Sequence, residues 1–198
     1  MGYLSYDSYS RQYMLTHRVG LLGSWVQNIH VSFAPILAMM EEVGELCHET
    51  IILAEQAGTV VRYIYVVPSR KAMRLHVGPG TVRPVVHSGV GLVFLASYTP
   101  ERVREILKRV NADRAPNEAI MEYSSIKETM DQIRADGFHL FTNGVNVGAG
   151  TISVLLPQAR GFPPLAIAIG GLAETIAGDH RELVAVLNRS INKHLSCQ

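Results

Sequence analysis

The sequence predicts an α+β fold with one central, mainly antiparallel sheet flanked by helices. Strand-like runs follow one another directly, without the strict strand–helix alternation of parallel proteins, and helical segments stand before, between and after them. In addition, 47% of the 198 residues are hydrophobic, which is enough to bury a sizeable core. This length allows one domain, or one domain with a short appendage.

The composition leaves the partner of the protein open. A formal net charge of +1 gives no global reason to expect nucleic acid, so such a contact must come from a local patch or from a missing part. Cys47 and Cys197 have no ligand-like spacing, which is typical of a reducing, cytoplasmic setting. No apolar run reaches the ~20 residues of a membrane span, and no histidine pair has metal-ligand spacing on a helix. We expect no membrane segment, metal or cofactor.

The first segment contains two aromatic-rich runs, "GYLSYD" and "RQYMLT", and predicts a hairpin of half-exposed strands. An isolated hairpin is marginal in water, so a folded neighbour is expected. Arg11 is its cation, and with the nearby tyrosines it forms a weak candidate for contact with a nucleic-acid backbone.

Apolar residues then recur at helical spacing from Leu21 to about Glu45, with Ser32 and Pro35 marking a break. This pattern predicts two helices that meet near residues 33–35. Two β-branched runs around the turn "EQAG" predict strands, and "AMRLHV" predicts a third.

Three helices are predicted next. The apolar "VVHSGVGLVFLASY" favours a buried helix that begins near His87 or Ser88. "TPERVREILKRV" has Thr99 as its N-cap, and "SSIKETMDQIRADG" has a capping box of Ser125 and Glu128, with Gly137 at its end.

The remaining chain predicts three strands and a final helix. The strands are "FHLFT", "TISVLLP" and "LAIAIGG", with a turn at "QARGFPP" before the last of them. The helix is amphipathic and runs from about Asp179 to Leu195.

Two glycine-rich stretches are candidate binding elements. "NGVNVGAG", residues 143–150, either cradles a phosphate or makes a tight turn; it lacks the P-loop lysine and precedes a strand, which favours the turn. "HSGVG", residues 87–91, either binds an anion at a helix start or allows close helix packing without a ligand. A hydrolytic triad is disfavoured, because Ser88 lies in no G-x-S-x-G elbow and few acidic residues lie nearby.

Several segments in order resemble the IclR family of bacterial transcription regulators, and specifically its C-terminal effector-binding domain. "MRLHVGPGTVRPVVHSGVGLVFLA" is similar to the family's strand, glycine turn, proline and small-residue helix start. "IKETMDQIRADGF" is similar to its L-x-x-I-R-x-x-G-(Y/F) helix. "GYLSYDSYSRQYMLTHRVGLLG" resembles the wing of its winged helix-turn-helix and the start of its linker helix.

The resemblance implies a three-part organisation. Residues 1–20 are expected to be the wing hairpin of a winged helix-turn-helix, 21–33 a linker helix, and 34–198 a GAF-like effector domain. The recognition helix is then expected before Met1. The implied protein is a DNA-binding regulator, such as a repressor, that acts as a homodimer or homotetramer, binds a small-molecule effector and is no enzyme.

The resemblance also implies which residues bind the effector. The carried-over positions are Leu75, Ser88, Gly89, Val90, Phe141, Ala149, Thr151, Ala168 and Gly170. Departures from the family pattern are Leu92 in place of lysine, Phe141 in place of a polar or acidic residue, and Ala168 and Gly170 in place of serine.

These departures predict a rather apolar pocket. We expect a carboxylate-bearing effector with a bulky aliphatic or aromatic body, its acid group on the helix start at residues 88–91 and its body against Leu75 and Phe141. The alternatives are a stand-alone small-molecule sensor or protein-interaction module that acts without DNA, and an enzyme on the same fold.

Overall fold

A computed structural model describes residues 2–16, 18–142, 147–158 and 163–195, with the side chains of residues 15 and 19–32 left out of the description. The chain divides into two compact units, Met1–Ala38 and Met39–Gln198.

The first unit contains the predicted hairpin. Strands β1 (Leu4–Asp7) and β2 (Gln12–Leu15) pair antiparallel. The Asp7 carboxylate accepts hydrogen bonds from the Tyr9 amide at 3.0 Å and the Ser10 hydroxyl at 2.6 Å, and these bonds close the turn. Arg11 ends this turn with a φ of 54°. The hairpin prediction is confirmed.

A single helix, α1 (Arg18–Cys47), follows the hairpin. The prediction of two helices meeting near residues 33–35 is therefore wrong. Pro35 lies inside the helix, where it removes one backbone hydrogen bond and costs about 3 kcal/mol. The helical ladder on both sides of a proline can offset that loss, so a proline inside an apolar periodic run does not by itself end a helix.

The second unit is built on a six-stranded sheet in the order β5-β4-β3-β8-β7-β6. Its strands are β3 (Thr50–Ala57), β4 (Val60–Val67), β5 (Val82–Pro84), β6 (His139–Phe141), β7 (Ala149–Leu155) and β8 (Leu165–Leu172). Every neighbouring pair is antiparallel, which confirms the predicted fold class. The turn between β3 and β4 is shorter than predicted: it consists of Gly58, at a φ of +66°, and Thr59.

The predicted strand "AMRLHV" is wrong, because residues 72–77 are irregular. Strand β5 takes the place beside β4 instead. The chain enters it through hydrogen bonds from the Gly80 amide to the Tyr63 carbonyl and from the Tyr63 amide to the Thr81 carbonyl, at 2.8 and 2.9 Å. β5 and the residues before it pair with Val60–Tyr63 of β4, and residues 72–77 form no ladder with the remaining part of that edge.

Helices cover both faces of the sheet. On one face, α2 (Gly89–Ser97), α3 (Pro100–Asp113) and α4 (Tyr123–Asp136) share a buried cluster with alternate residues of the strands. On the other, α5 (Ala173–Gly178), which the sequence did not predict, and α6 (His180–Leu195) contact β7. The final helix is confirmed in its predicted place.

The helix ends follow the sequence signals only in part. Thr99 caps α3 and Gly137, at a φ of +77°, ends α4, as predicted. The predicted capping box of Ser125 and Glu128 is wrong, because α4 begins two residues earlier, at Tyr123, and both residues then lie inside the helix. A capping-box motif does not mark the start of a helix when the residues before it also adopt helical conformation.

Candidate functional site

A small cavity lies between the start of α2 and the strands beneath it. Its volume is about 50 Å³. The residues that line it are Tyr63, Leu75, Val77, Arg83, His87, Ser88, Gly89, Val90, Phe141, Ala149 and Thr151. Seven of the nine residues that the family resemblance implied are therefore brought together here. Ala168 and Gly170 do not line the cavity.

The start of α2 supplies backbone donors to this cavity. Ser88 is the N-cap: its hydroxyl accepts a hydrogen bond from the Gly91 amide at 2.9 Å, and its carbonyl accepts one from the Leu92 amide at 3.0 Å. The amides of Gly89 and Val90 belong to the first turn, which has no intrahelical acceptors for them. The positive end of the helix dipole adds to their attraction for an anion.

The two glycines of α2 are required by close packing. A Cβ atom on Gly91 would stand 1.9 Å from the Val85 carbonyl oxygen, and one on Gly89 would stand 2.6 Å from Thr151 Oγ1 and 2.9 Å from Phe141 Cβ. The close-packing interpretation of "HSGVG" is thus correct for both glycines. It does not exclude anion binding, because Gly89 and Val90 also line the cavity.

The sheet forms the floor of the site in rows set by strand register. Thr151 pairs with Phe141 on one side and Gly170 on the other, and Ser153 pairs with His139 and Ala168. Ala168 is fully buried and faces the core beneath α2.

Gly170 is covered by Leu75. The Leu75 Cδ2 atom lies 2.7 Å from the place of a Cβ atom on Gly170. This explains why Gly170 does not reach the cavity, since the Leu75 side chain fills the space above it.

Three buried polar atoms of the strands beneath α2 have no hydrogen-bond partner among the described residues: Thr151 Oγ1, Ser153 Oγ and His139 Nε2. Burial lowers the pKa of His139, because desolvation disfavours the charged imidazolium. Buried polar atoms normally find partners, and of these three only Thr151 Oγ1 belongs to a residue that lines the cavity.

Sequence reasoning missed three residues of the lining, Tyr63, Val77 and Arg83, whereas His87 belongs to the candidate stretch "HSGVG". Arg83 pairs with Val61 in the β4–β5 ladder, two residues from the buried Tyr63. Burial raises the pKa of Tyr63, and the neighbouring Arg83 guanidinium opposes this by its charge and by hydrogen bonding. The alternation of "TVRPVV" carries the signal for Arg83, which was hidden because the third strand was assigned to residues 72–77.

The loop "NGVNVGAG" lies partly outside the described residues, since residues 143–146 are not described. Its last part makes a turn: Gly148 has a φ of +80°, and its carbonyl accepts a hydrogen bond from the Ala173 amide at 2.8 Å. Strand β7 then begins at Ala149, so a strand and not a helix follows the glycines.

The described residues contain no group of three or more histidine, cysteine or acidic side chains placed to hold a metal ion. Nor does any helix in the described part of the chain have the length and hydropathy to span a membrane. Arg11, the candidate DNA contact, belongs to the first unit and not to the cavity.

Comparison with known proteins identifies the class of this domain. The family model described as "Bacterial transcriptional regulator IclR C-terminal" matches residues 25–195. The chain therefore belongs to the IclR family of bacterial transcriptional regulators, and the resemblance noted in the sequence is confirmed.

The relatives are transcription regulators. The chain is 27% identical over 139 residues to the HTH-type transcriptional regulator KdgR of Escherichia coli, covering 70% of this chain and 52% of that protein. It is 25% identical over 185 residues to the transcriptional repressor IclR of the same organism, covering 85% and 67%. The chain thus spans about half to two thirds of the length of these relatives.

Solved structures agree on the fold. The effector domain of an IclR regulator from Acinetobacter sp. ADP1 matches with a TM-score of 0.77 at 22% identity, covering 86% of this chain and 99% of that one. An IclR regulator from Thermotoga maritima matches with a TM-score of 0.73 at 18% identity, covering 96% and 77%. The second unit has the fold of an IclR effector domain.

Proposed function

We propose that this chain senses a small carboxylate-bearing metabolite and thereby controls transcription through a DNA-binding domain. The observation that carries the proposal is the convergence of seven carried-over residues on one cavity at the start of α2. We assign the effector site to Leu75, Ser88, Gly89, Val90, Phe141, Ala149 and Thr151, with Gly170 and Ala168 behind them.

The chemistry of the lining favours an acid with an apolar body. The Gly89 and Val90 amides are suited to an anionic oxygen, and Leu75, Val77 and Phe141 offer an apolar wall. Among the described residues, no acidic side chain lines the cavity to repel a carboxylate. An aliphatic or aromatic acid matches both features.

The small size of the cavity supports a proposal in which the site has two states. Its volume of about 50 Å³ is far below the roughly 300–1,000 Å³ of typical small-molecule sites. We propose that the effector displaces residues 70–78, called here the Leu75 segment, which has no helix or strand and carries Leu75 and Val77. The effector would bind more tightly to the state in which the Leu75 segment is displaced, and binding would therefore increase the population of that state. A regulator transmits this change in population to its other domain.

The first part of the chain is proposed to connect this site to DNA. We assign residues 1–20 to the wing of a winged helix-turn-helix, with Arg11 at the DNA backbone, 21–33 to a linker helix and 34–198 to the effector domain. The working form is proposed to be a cytoplasmic homodimer or homotetramer. The relatives, a regulator of the helix-turn-helix type and a repressor, support a role in transcription control.

Titration calorimetry on this chain tests the ligand class. We expect benzoate and 4-hydroxybenzoate to bind more tightly than pyruvate and glyoxylate, because only the aromatic acids have an apolar body that can pack against Leu75, Val77 and Phe141. Tighter binding of the two oxo-acids would contradict the aromatic or aliphatic preference, and no binding of any acid would contradict the carboxylate site. Unchanged recovery of the ligand after long incubation is expected for a sensor and would argue against an enzyme.

The alternative is a stand-alone module that acts without DNA. The coding sequence upstream of Met1 distinguishes this alternative from a DNA-binding regulator. In-frame codons for a helix-turn-helix are expected if the chain serves a DNA-binding regulator.

A further inference from the structure

We infer that Arg83 is the residue that determines charge selectivity in this cavity, holding the effector carboxylate jointly with the Gly89 and Val90 amides. The inference rests on the proposed function, because it concerns the same site. It adds a side-chain hydrogen-bond donor for the acid group, whereas the family resemblance pointed only to backbone donors.

The position of Arg83 in the sheet directs it to the cavity. Arg83 is paired with Val61 on β4, and Val61 and Tyr63 both belong to the buried cluster beneath α2. Side chains of directly paired residues lie on the same face of a sheet. Arg83 therefore extends over the α2 face, where it lines the cavity and lies beside the Tyr63 hydroxyl.

The charge of Arg83 has no counterion among the described residues. None of their carboxylates is within salt-bridge distance of it; its guanidinium hydrogen-bonds to the Tyr63 hydroxyl and donates a long hydrogen bond, at 3.4 Å, to the carbonyl of the adjacent Val82. By contrast, Arg102 and Arg134 pair with carboxylates on their own helices. A half-buried guanidinium with free donors is suited to bind a carboxylate through two parallel hydrogen bonds.

Because the cavity is small, the Arg83 guanidinium and the backbone amides of Gly89 and Val90 would contact the same carboxylate. Arg83, Gly89 and Val90 all border a space of about 50 Å³, which does not hold two separate anions. A single carboxylate between β5 and the start of α2 would be contacted from both sides. The apolar body of the effector would then extend toward Leu75 and Phe141, away from the guanidinium.

Acetate is the test probe, because it is a small carboxylate and needs no knowledge of the effector. Sodium acetate is titrated into ¹⁵N-labelled protein at constant ionic strength, with acetamide as the neutral counterpart. We expect the Gly89 and Val90 amide signals and the Arg83 Nε–Hε signal to shift together with one Kd, and acetamide to leave them unchanged.

Variants of Arg83 separate the contribution of its side chain from that of the Gly89 and Val90 amides. R83Q is expected to weaken acetate binding about tenfold or more, and R83K by less, because lysine keeps the charge but loses the planar fork. R62Q is the matched control: Arg62 is exposed on β4, pairs with Val82 in the same ladder and does not line the cavity. We expect R62Q to leave the Kd within about twofold.

The outcomes distinguish this inference from the proposed function. If acetate shifts the Gly89 and Val90 amides while the Arg83 signal and the R83Q affinity are unchanged, the assignment of Arg83 is wrong and the helix-start site stands. If none of these signals responds, both fail. Amide spectra of R83Q and R62Q that match the parent outside the site show that the variants fold, so a lost affinity is assigned to the side chain.

Discussion

Leu75 Cδ2 lies 2.7 Å from the point where a Cβ atom would stand on Gly170, so that the Leu75 side chain occupies the space a larger residue would need. The other two nearest atoms, Ile52 Cδ1 and Thr151 Cγ2, lie at 3.5 and 3.6 Å, which is ordinary contact. Only Leu75 would therefore have to move. This relationship connects the identity of residue 170 with the position of the Leu75 segment.

Gly170→Ala is expected to displace Leu75 while the fold is kept. We expect the free energy of unfolding to fall by about 1–2 kcal/mol and deuterium uptake in residues 70–78 to increase, because the side chain that covers Gly170 is pushed outward. Hydrogen-exchange mass spectrometry checks the second effect. Gly178→Ala is the control, since nothing lies within 4 Å of its Cβ position. Equal uptake in both variants would contradict the covering role of Leu75.

Thr50→Val is expected to loosen the same segment from its other side. The buried Thr50 hydroxyl donates to the Leu75 carbonyl and accepts from the Ser69 amide, both at 3.3 Å. Valine keeps the shape but leaves these groups without a partner, so urea unfolding should show a loss of about 1–3 kcal/mol. Thr59→Val should change stability little, because the Thr59 hydroxyl makes no hydrogen bond among the described residues. A similar loss in both variants would rule out a specific role of Thr50.

Thr151→Val is expected to leave stability unchanged or to raise it by about 1 kcal/mol, because the Thr151 hydroxyl is buried with no partner in the described part of the chain and valine has the same shape. Thr81→Val provides the contrast: the Thr81 hydroxyl donates to the Gly78 carbonyl at 2.7 Å, and its loss should destabilise the protein by about 1 kcal/mol. Chemical denaturation of both variants measures the difference. A clear destabilisation by Thr151→Val would show that the hydroxyl has a partner in solution.

His139 is expected to make stability depend on pH in the weakly acidic range. Burial lowers its pKa from the ordinary value of 6.5, so the folded protein binds this proton less readily than the unfolded chain. The stabilisation is therefore complete above pH 6.5 and declines as the pH falls toward the folded-state pKa. His139→Gln should reduce the fall in the thermal midpoint between pH 8 and pH 5, whereas His76→Gln, at an exposed position, should not. The same pH dependence in all three proteins would contradict the role of His139.

Local sequence signals correctly predicted the elements that are stabilised by residues close to them in the sequence. The hairpin, the Thr99 cap, the Gly137 end and the strands around β7 and β8 all follow from turn chemistry, capping and apolar runs. One failure occurred where another part of the chain decides, and another where a helix continued through a residue that usually ends it. Residues 72–77 have the composition of a strand, but β5 occupies the edge beside β4, and Pro35 lies inside one helix.

The site shows the same division. The sequence by itself determined the family, the fold class and the helix start at Ser88, because cap residues and small residues act over a few positions. Only the tertiary structure decided that Arg83 and Tyr63 line the cavity with Phe141 and Thr151, and that Gly170 is covered by Leu75. These contacts depend on strand register between segments far apart in the chain, and a shift of one residue in register would turn each side chain to the opposite face.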